Sequence, residues 1–194
     1  MRATVQTATR HGSITELYRG QGSGLTDLDP DPCGTDPETN IGPSYTQAQC
    51  ANTGLPASLY GSDLKSPADQ YNILTGGNPN LVPEESESTT IGIVLTPDAI
   101  PGLTLTLDYF DIVVEDKIGT IPASTSLKNC LETGNPTFCN LIERDPIAGT
   151  LWVSPGQIIT TNTNVAEESM TGFDLIFDYM LETGLGPIDI KGIT

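Results

Sequence analysis

The sequence predicts an all-β chain, an antiparallel transmembrane β-barrel segment that forms an incomplete barrel with long extracellular loops. Two alternating apolar/polar runs are joined by a short turn within residues 88–117, a second hairpin of the same design lies near the end of the chain, and long polar connections separate them. Alternation with a period of two places one set of side chains on each face of a strand. A hairpin that is apolar on one face and carries hydroxyls or acids on the other suits a wall between lipid and water.

The first element is the strand-like run Arg2-Ala3-Thr4-Val5-Gln6-Thr7-Ala8, which follows Met1 without the apolar core of a signal peptide. A connection rich in Gly, Pro, Asp and Thr then runs over residues 10–87. Within it, Gly20-Gln21-Gly22-Ser23-Gly24 lacks the helix and Lys of a phosphate cradle and reads as a flexible loop.

In the first hairpin Ile91, Ile93 and Leu95 share one face, with Thr90, Gly92 and Thr96 opposite. After the turn Asp98-Ala99-Ile100-Pro101-Gly102, the residues Leu103, Leu105, Leu107 and Tyr109 share a face, and Thr104, Thr106, Asp108 and Phe110 occupy the other. A second connection covers residues 120–169, and residues 149–159 inside it read as a small extra hairpin. Phe173, Leu175, Phe177, Tyr179 and Leu181 then form an apolar row, a Gly-rich turn follows at residues 182–187, and Ile188-Asp189-Ile190-Lys191 resumes the alternation. Spanning strands need about 9–11 residues, which both hairpins supply. Loops much beyond about 12–15 residues are uncommon in compact soluble domains, whereas short turns on one side and long loops on the other are the habit of outer-membrane barrels.

Composition removes several function classes. A net charge of -17, from 25 acids against 8 bases, argues against nucleic-acid binding, which needs clustered Lys and Arg. No apolar run approaches the ~18 residues of a spanning helix. Catalysis finds no foothold: the only His is His11, and neither a Gly-x-Ser-x-Gly elbow nor a His-Glu-x-x-His motif occurs. No enzyme and no cofactor are expected.

The four cysteines fall as two local pairs, Cys33 with Cys50 and Cys130 with Cys139, each inside a long connection. They are disulfide candidates for an oxidising compartment, and four cysteines permit three connectivities. Zinc is disfavoured because no Cys-x-x-Cys occurs. Asp27, Asp29, Asp31 and Glu38 hold the first, third, fifth and twelfth places of an EF-hand-like loop, a candidate for weak calcium binding. Against it, Pro32 stands where the sharp turn needs Gly, Pro30 and Pro37 stiffen the rest, and no amphipathic helix flanks it, so the competing reading is a plain acidic loop.

The run Gly76-Gly77-Asn78-Pro79-Asn80-Leu81-Val82-Pro83-Glu84, followed by a strand, the Ile100-Pro101-Gly102-Leu103 turn and Leu107-Asp108-Tyr109-Phe110-Asp111-Ile112, resembles the C-terminal half of the barrel of TonB-dependent outer-membrane receptors. The segment Ala8-Thr9-Arg10-His11-Gly12-Ser13-Ile14-Thr15-Glu16-Leu17-Tyr18 is similar to another family segment, departing from it at His11-Gly12-Ser13. The resemblance implies a partial barrel domain over residues 1–194, a fragment whose plug domain is absent, in the outer membrane of a Gram-negative bacterium. It implies active transport of a nutrient such as a siderophore, cobalamin or oligosaccharide. The implied partners are outer-membrane lipid, a small nutrient ligand and the TonB complex through the missing plug. It also favours disulfides within each connection. From a different class, the alternative is a secreted or surface β-rich binding or adhesion module with acidic loops that are candidates for calcium binding.

Overall fold

The computed structural model describes residues 1–194 except Asp29 and Ala166. Among the described residues the strands are β1 (Arg2–Arg10), β2 (Gly22–Asp27), β3 (Gln70–Thr75), β4 (Glu84–Leu95), β5 (Leu103–Glu115) and β6 (Ile118–Gly119). They continue with β7 (Ile142–Glu143), β8 (Gln157–Ile159), β9 (Thr163–Asn164), β10 (Glu168–Thr183) and β11 (Gly186–Ile193). The helices are α1 (Ile14–Tyr18), α2 (Gln47–Ala51), α3 (Ala123–Thr133) and α4 (Pro136–Cys139). The chain divides into two compact units, one of Met1–His11, Val82–Lys117 and Ala166–Thr194, the other of Gly12–Leu81 and Ile118–Val165.

The first unit is a five-stranded sheet in the order β1-β4-β5-β10-β11, with every pair antiparallel. The register joins the two predicted hairpins. Ile91 lies opposite Tyr109, and Tyr109 lies opposite Phe173, so the apolar rows of β4, β5 and β10 share one face. Asp108 lies between Gly92 and Asp174 on the other face. Because the side-chain period is two, a slip of one residue would exchange the faces. Gly102 closes the β4–β5 turn at φ +85, and a Cβ there would stand 2.3 Å from the Met180 carbonyl oxygen, so only glycine fits. The β10–β11 turn is closed by the pair Thr183 and Gly186.

The strands outrun the predicted hairpins, since β4 begins at Glu84 and β10 at Glu168. Beyond Tyr109 the apolar face becomes polar: Asp111 and Glu115 on β5, Glu85, Glu87 and Thr89 on β4, and Thr7 and Thr9 on β1 continue its rows. Apolar alternation therefore marks only part of each strand.

The second unit corrects the expectation that the long connections lack structure. They fold together around one core that includes Leu55, Leu64, Tyr71, Leu131, Leu151 and Ile158. A four-stranded sheet runs β2-β3-β8-β7, and its β3–β8 pair is parallel, a departure from the antiparallel expectation. The strands β6 and β9 form a separate antiparallel pair. The segment expected to be a flexible loop, residues 20–24, instead enters β2 at Gly22. Nor do residues 149–159 form a hairpin of their own, because β8 pairs with β7 on one side and β3 on the other.

Local signals explain the helices. Ser13 and Glu16 form a capping box at the start of α1, and Thr46 and Gln49 form another at α2. In α3, Ala123, Ser126, Leu127, Cys130 and Leu131 are buried, the i, i+3, i+4, i+7, i+8 spacing of one helical face. Gly134 ends α3 in the left-handed conformation at φ 66. The row mixes Ala, Ser and Cys with two leucines, so its hydrophobicity is too slight to mark it in the sequence.

Candidate functional site

The five-stranded sheet has two chemically distinct faces. On the polar face Arg2 donates from Nε to Oδ1 of Asp108 at 3.1 Å and from a terminal nitrogen to Oδ2 at 2.6 Å. Gly92 makes room for this fork, since a Cβ there would lie 1.9 Å from Asp108 Oδ1. Lys191 pairs with Asp178 at 3.0 Å and with Asp189 at 3.1 Å, and Arg10 forks onto Glu84 at 2.5 and 2.7 Å. The Phe110 ring covers Gly172, where a Cβ would meet it at 2.6 Å. Charged groups that would be costly in an apolar layer are thus paired on one face.

The opposite face exposes its hydrocarbon. Ile91, Ile93, Leu95, Leu107, Phe173, Leu175 and Phe177 are each more than a third exposed, Phe173 at 69%. Such a continuous apolar surface is not a feature of a water-facing sheet. Tyr109 and Phe173 stack in a tilted pair, ring centroids 5.1 Å apart, at the edge of the band. Past them, Thr7, Thr9, Glu85, Glu87, Asp111 and Glu115 line a shallow groove. Phe177 lies over Gly192, where a Cβ would meet the ring at 2.2 Å.

In the second unit an ion pair ties the connections together. Arg144, on the chain after β7, donates to Asp31 Oδ2 at 2.6 Å and Oδ1 at 3.2 Å, to Thr53 Oγ1 at 2.8 Å and to the Gly149 carbonyl at 2.8 Å. The side chains of Arg144 and Asp31 are 1% and 0% exposed. Asp31 Oδ1 also accepts from the Cys33 amide at 3.0 Å. A charge buried this fully is tolerated because the Arg144 guanidinium makes four hydrogen bonds, two of them to its counter-ion.

Nearer the surface, Lys65 stands 3.0 Å from Glu38, 3.6 Å from Asp36 and 3.9 Å from Asp69. The hydrogen bond with Glu38 raises the Lys65 pKa. The Glu38 amide, donating to Asp36, lowers that carboxyl. Burial pushes the Tyr71 phenol up.

The structure forms the Cys33–Cys50 and Cys130–Cys139 disulfides, the pairing the resemblance favoured. The calcium candidates are dispersed: Asp31 is committed to Arg144, Glu38 reaches Lys65, and Asp27 is exposed at the end of β2. Asp29 lies outside the described residues. Among the described residues no three His, Cys, Asp or Glu side chains come together as a metal site. Sequence reasoning missed Arg144, which stands in an ordinary loop context between Glu143 and Asp145.

Paired charge on one face, exposed hydrocarbon on the other and a disulfide-bonded unit built from the connections define a two-faced β-wall with structured loops. A family model described as TonB dependent receptor-like, beta-barrel, matches residues 2–187, and the chain belongs to that family. The family is one of transport receptors rather than enzymes. Among solved structures, the siderophore receptor PirA from Acinetobacter baumannii is similar at 16% identity and a TM-score of 0.44, over 91% of this chain and 18% of that one. The ferric enterobactin receptor PfeA from Pseudomonas aeruginosa, in mutant form, aligns at 13% identity and a TM-score of 0.42, over 98% of this chain and 19% of that one. The Serratia marcescens hemophore receptor HasR, a double mutant in complex with its hemophore HasA and heme, aligns at 19% identity and a TM-score of 0.35, over 62% and 15%. This chain therefore spans less than a fifth of each of these proteins. No curated protein sequence matches it.

Proposed function

We propose that this chain supplies wall and loops of an outer-membrane active-transport receptor that takes up a scarce nutrient in a TonB-dependent manner. The observation that carries the reading is the exposed apolar band on one sheet face, set against paired charges on the other. In a bilayer the band meets lipid tails while the face bearing Arg2, Asp108, Asp178 and Lys191 meets water or protein. No helix among the described residues is long and apolar enough to cross a membrane, so the strands would do the spanning.

The whole receptor would sit in the outer membrane of a Gram-negative bacterium, with the disulfide-bonded unit exposed outside. Its nutrient would be a siderophore, cobalamin or oligosaccharide, and force would reach it from the TonB complex through a plug domain. Family membership and the oxidised cysteines support this reading. A secreted adhesion module would instead have to fold in plain water with Phe173 and its neighbours exposed.

Site-specific spin labels at Leu107 and Thr106 in the receptor, reconstituted in lipid, test the reading. A lipid-soluble relaxant should reach position 107 and not 106. Equal access of a water-soluble relaxant to both positions would refute the spanning wall.

A further inference from the structure

The two disulfides are held in different ways. Cys33 and Cys50 are 0% and 1% exposed. Around them local bonds are anchored by long-range ones: the Cys33 carbonyl accepts from Gly61 at 3.0 Å, and the Cys33 amide donates to its neighbour Asp31, which is locked to Arg144. The Cys50 carbonyl accepts from Thr53 Oγ1 at 2.7 Å, and the same hydroxyl accepts from Arg144. Exposing that bridge to a thiolate means opening the core of the unit.

Cys130–Cys139 closes a short loop, a separation of 9 residues against 17 for the other bridge. Cys130 is buried, but Cys139 is only partly buried, on the four-residue helix α4. At the Cys139 end the hydrogen bonds are local: Asn135 Oδ1 accepts from Thr137, the Asn135 carbonyl accepts from Phe138 and Cys139, and the Phe138 carbonyl accepts from Leu141, while at the other end Cys130 Sγ lies 3.4 Å from the Asn52 carbonyl. Phe138 packs on the edge of the core, and the Gly134 turn lies against Asn52, a neighbour of Cys50 in the first connection. Opening at the Cys139 end breaks bonds made within residues 135–141 and the edge packing of Phe138, which is how low-stability segments are distinguished from globally protected ones.

We propose that Cys130–Cys139 is a redox-addressable clasp on the second unit: reduction frees α4 and remodels the surface at the end of α3, while Cys33–Cys50 and the Asp31–Arg144 pair stay closed. A dithiol reductant acts through its thiolate, which attacks the sulfur of the partly buried Cys139, breaks the S–S bond and leaves Cys130 as a thiolate that takes up a proton. The second thiol of the reductant, deprotonated, then attacks its own sulfur in the mixed disulfide and releases Cys139. Two electrons and two protons pass to the cysteines, and the dithiol becomes a cyclic disulfide.

The oxidised protein in detergent micelles, treated with graded dithiothreitol, quenched with iodoacetamide and digested, reports each cysteine by mass spectrometry. Cys130 and Cys139 should be labelled roughly tenfold or more faster than Cys33 and Cys50, as access to the attacked sulfur controls exchange. Amide exchange should then rise at residues 134–141 and stay low at 31–35 and 144–150. Labelling of all four cysteines together, or of Cys33 and Cys50 first, would overturn the proposal. A Cys130→Ser/Cys139→Ser variant gives a second test. It should keep Cys33 and Cys50 resistant to labelling and show the same local exchange without reductant, and loss of that resistance would equally refute the clasp.

Discussion

Gly92 and Asp108 face each other across β4 and β5, and the space a Cβ would take on Gly92 is filled by the Asp108 carboxylate, 1.9 Å from the ideal Cβ position. Arg2 completes the arrangement from β1, its Nε 2.9 Å from the same point. The glycine is therefore a spacing requirement of a cross-strand ion pair.

Gly92→Ala should displace Asp108 from Arg2 and destabilise the sheet by about 1–3 kcal/mol, the usual cost of overpacking. Urea unfolding in detergent measures it. Adding Asp108→Ala should recover part of the loss, because the methyl then has room. No recovery would mean that the glycine serves a different purpose.

Leu107→Arg places a cation in the apolar band, whereas Thr106→Arg places one on the polar face. A lipid-facing Arg costs about 2–4 kcal/mol near the bilayer midplane. Membrane insertion, read as the fraction resistant to carbonate extraction, should fall for Leu107→Arg and change little for Thr106→Arg. Equal effects would contradict a two-faced wall.

Arg144→Met removes one partner of a buried pair and leaves Asp31 uncompensated. Breaking such pairs costs about 3–5 kcal/mol. Protease resistance of the second unit should fall sharply, and Asp31→Asn with Arg144→Met should be milder than Arg144→Met alone. A full-strength loss in the double variant would place the cost outside the ion pair.

Two groups of the second unit predict loss of stability in alkali. Tyr71 is raised above its usual 10.0, so between that value and its folded pKa the native state holds a proton that the unfolded chain has released, and stability falls as pH rises. Lys65 is raised above 10.5, so its contribution is complete below that pH and is lost as pH climbs through the folded value. Asp36 acts oppositely. Its carboxyl is lowered from 3.8, giving stability present above that pH and lost as pH falls through the folded value. Unfolding under non-reducing conditions from pH 8 to 11 should show the alkaline decline. Tyr71→Phe should flatten its onset, and an unchanged profile would remove Tyr71 as its source.

Legibility followed the strength of local periodicity. The rows Ile91-Ile93-Leu95, Leu103-Leu105-Leu107-Tyr109 and Phe173–Leu181 announce their strands because one face carries hydrocarbon side chains while charged and hydroxyl side chains alternate with them on the other. Where both faces become polar, at Glu84–Ser88 and Glu168–Ser169, the alternation fades although the backbone ladder continues. The second unit was less legible still. Its core gathers single residues such as Leu64, Tyr71, Leu151 and Ile158 from two connections, and its helices are too short or too weakly apolar to show a clear period.

By itself the sequence determined the two-faced hairpins and the turn at Gly102, since each depends on neighbours a few residues apart or on a single backbone angle, and it left the pairing of the four cysteines to the tertiary structure. Only the tertiary structure decided that β3 and β8 run parallel, that Asp31 belongs to Arg144 rather than to an acidic cluster, and that the two long connections share a core. Those contacts join residues as much as 113 positions apart, and burial gives them their strength, a property that no local window of sequence contains.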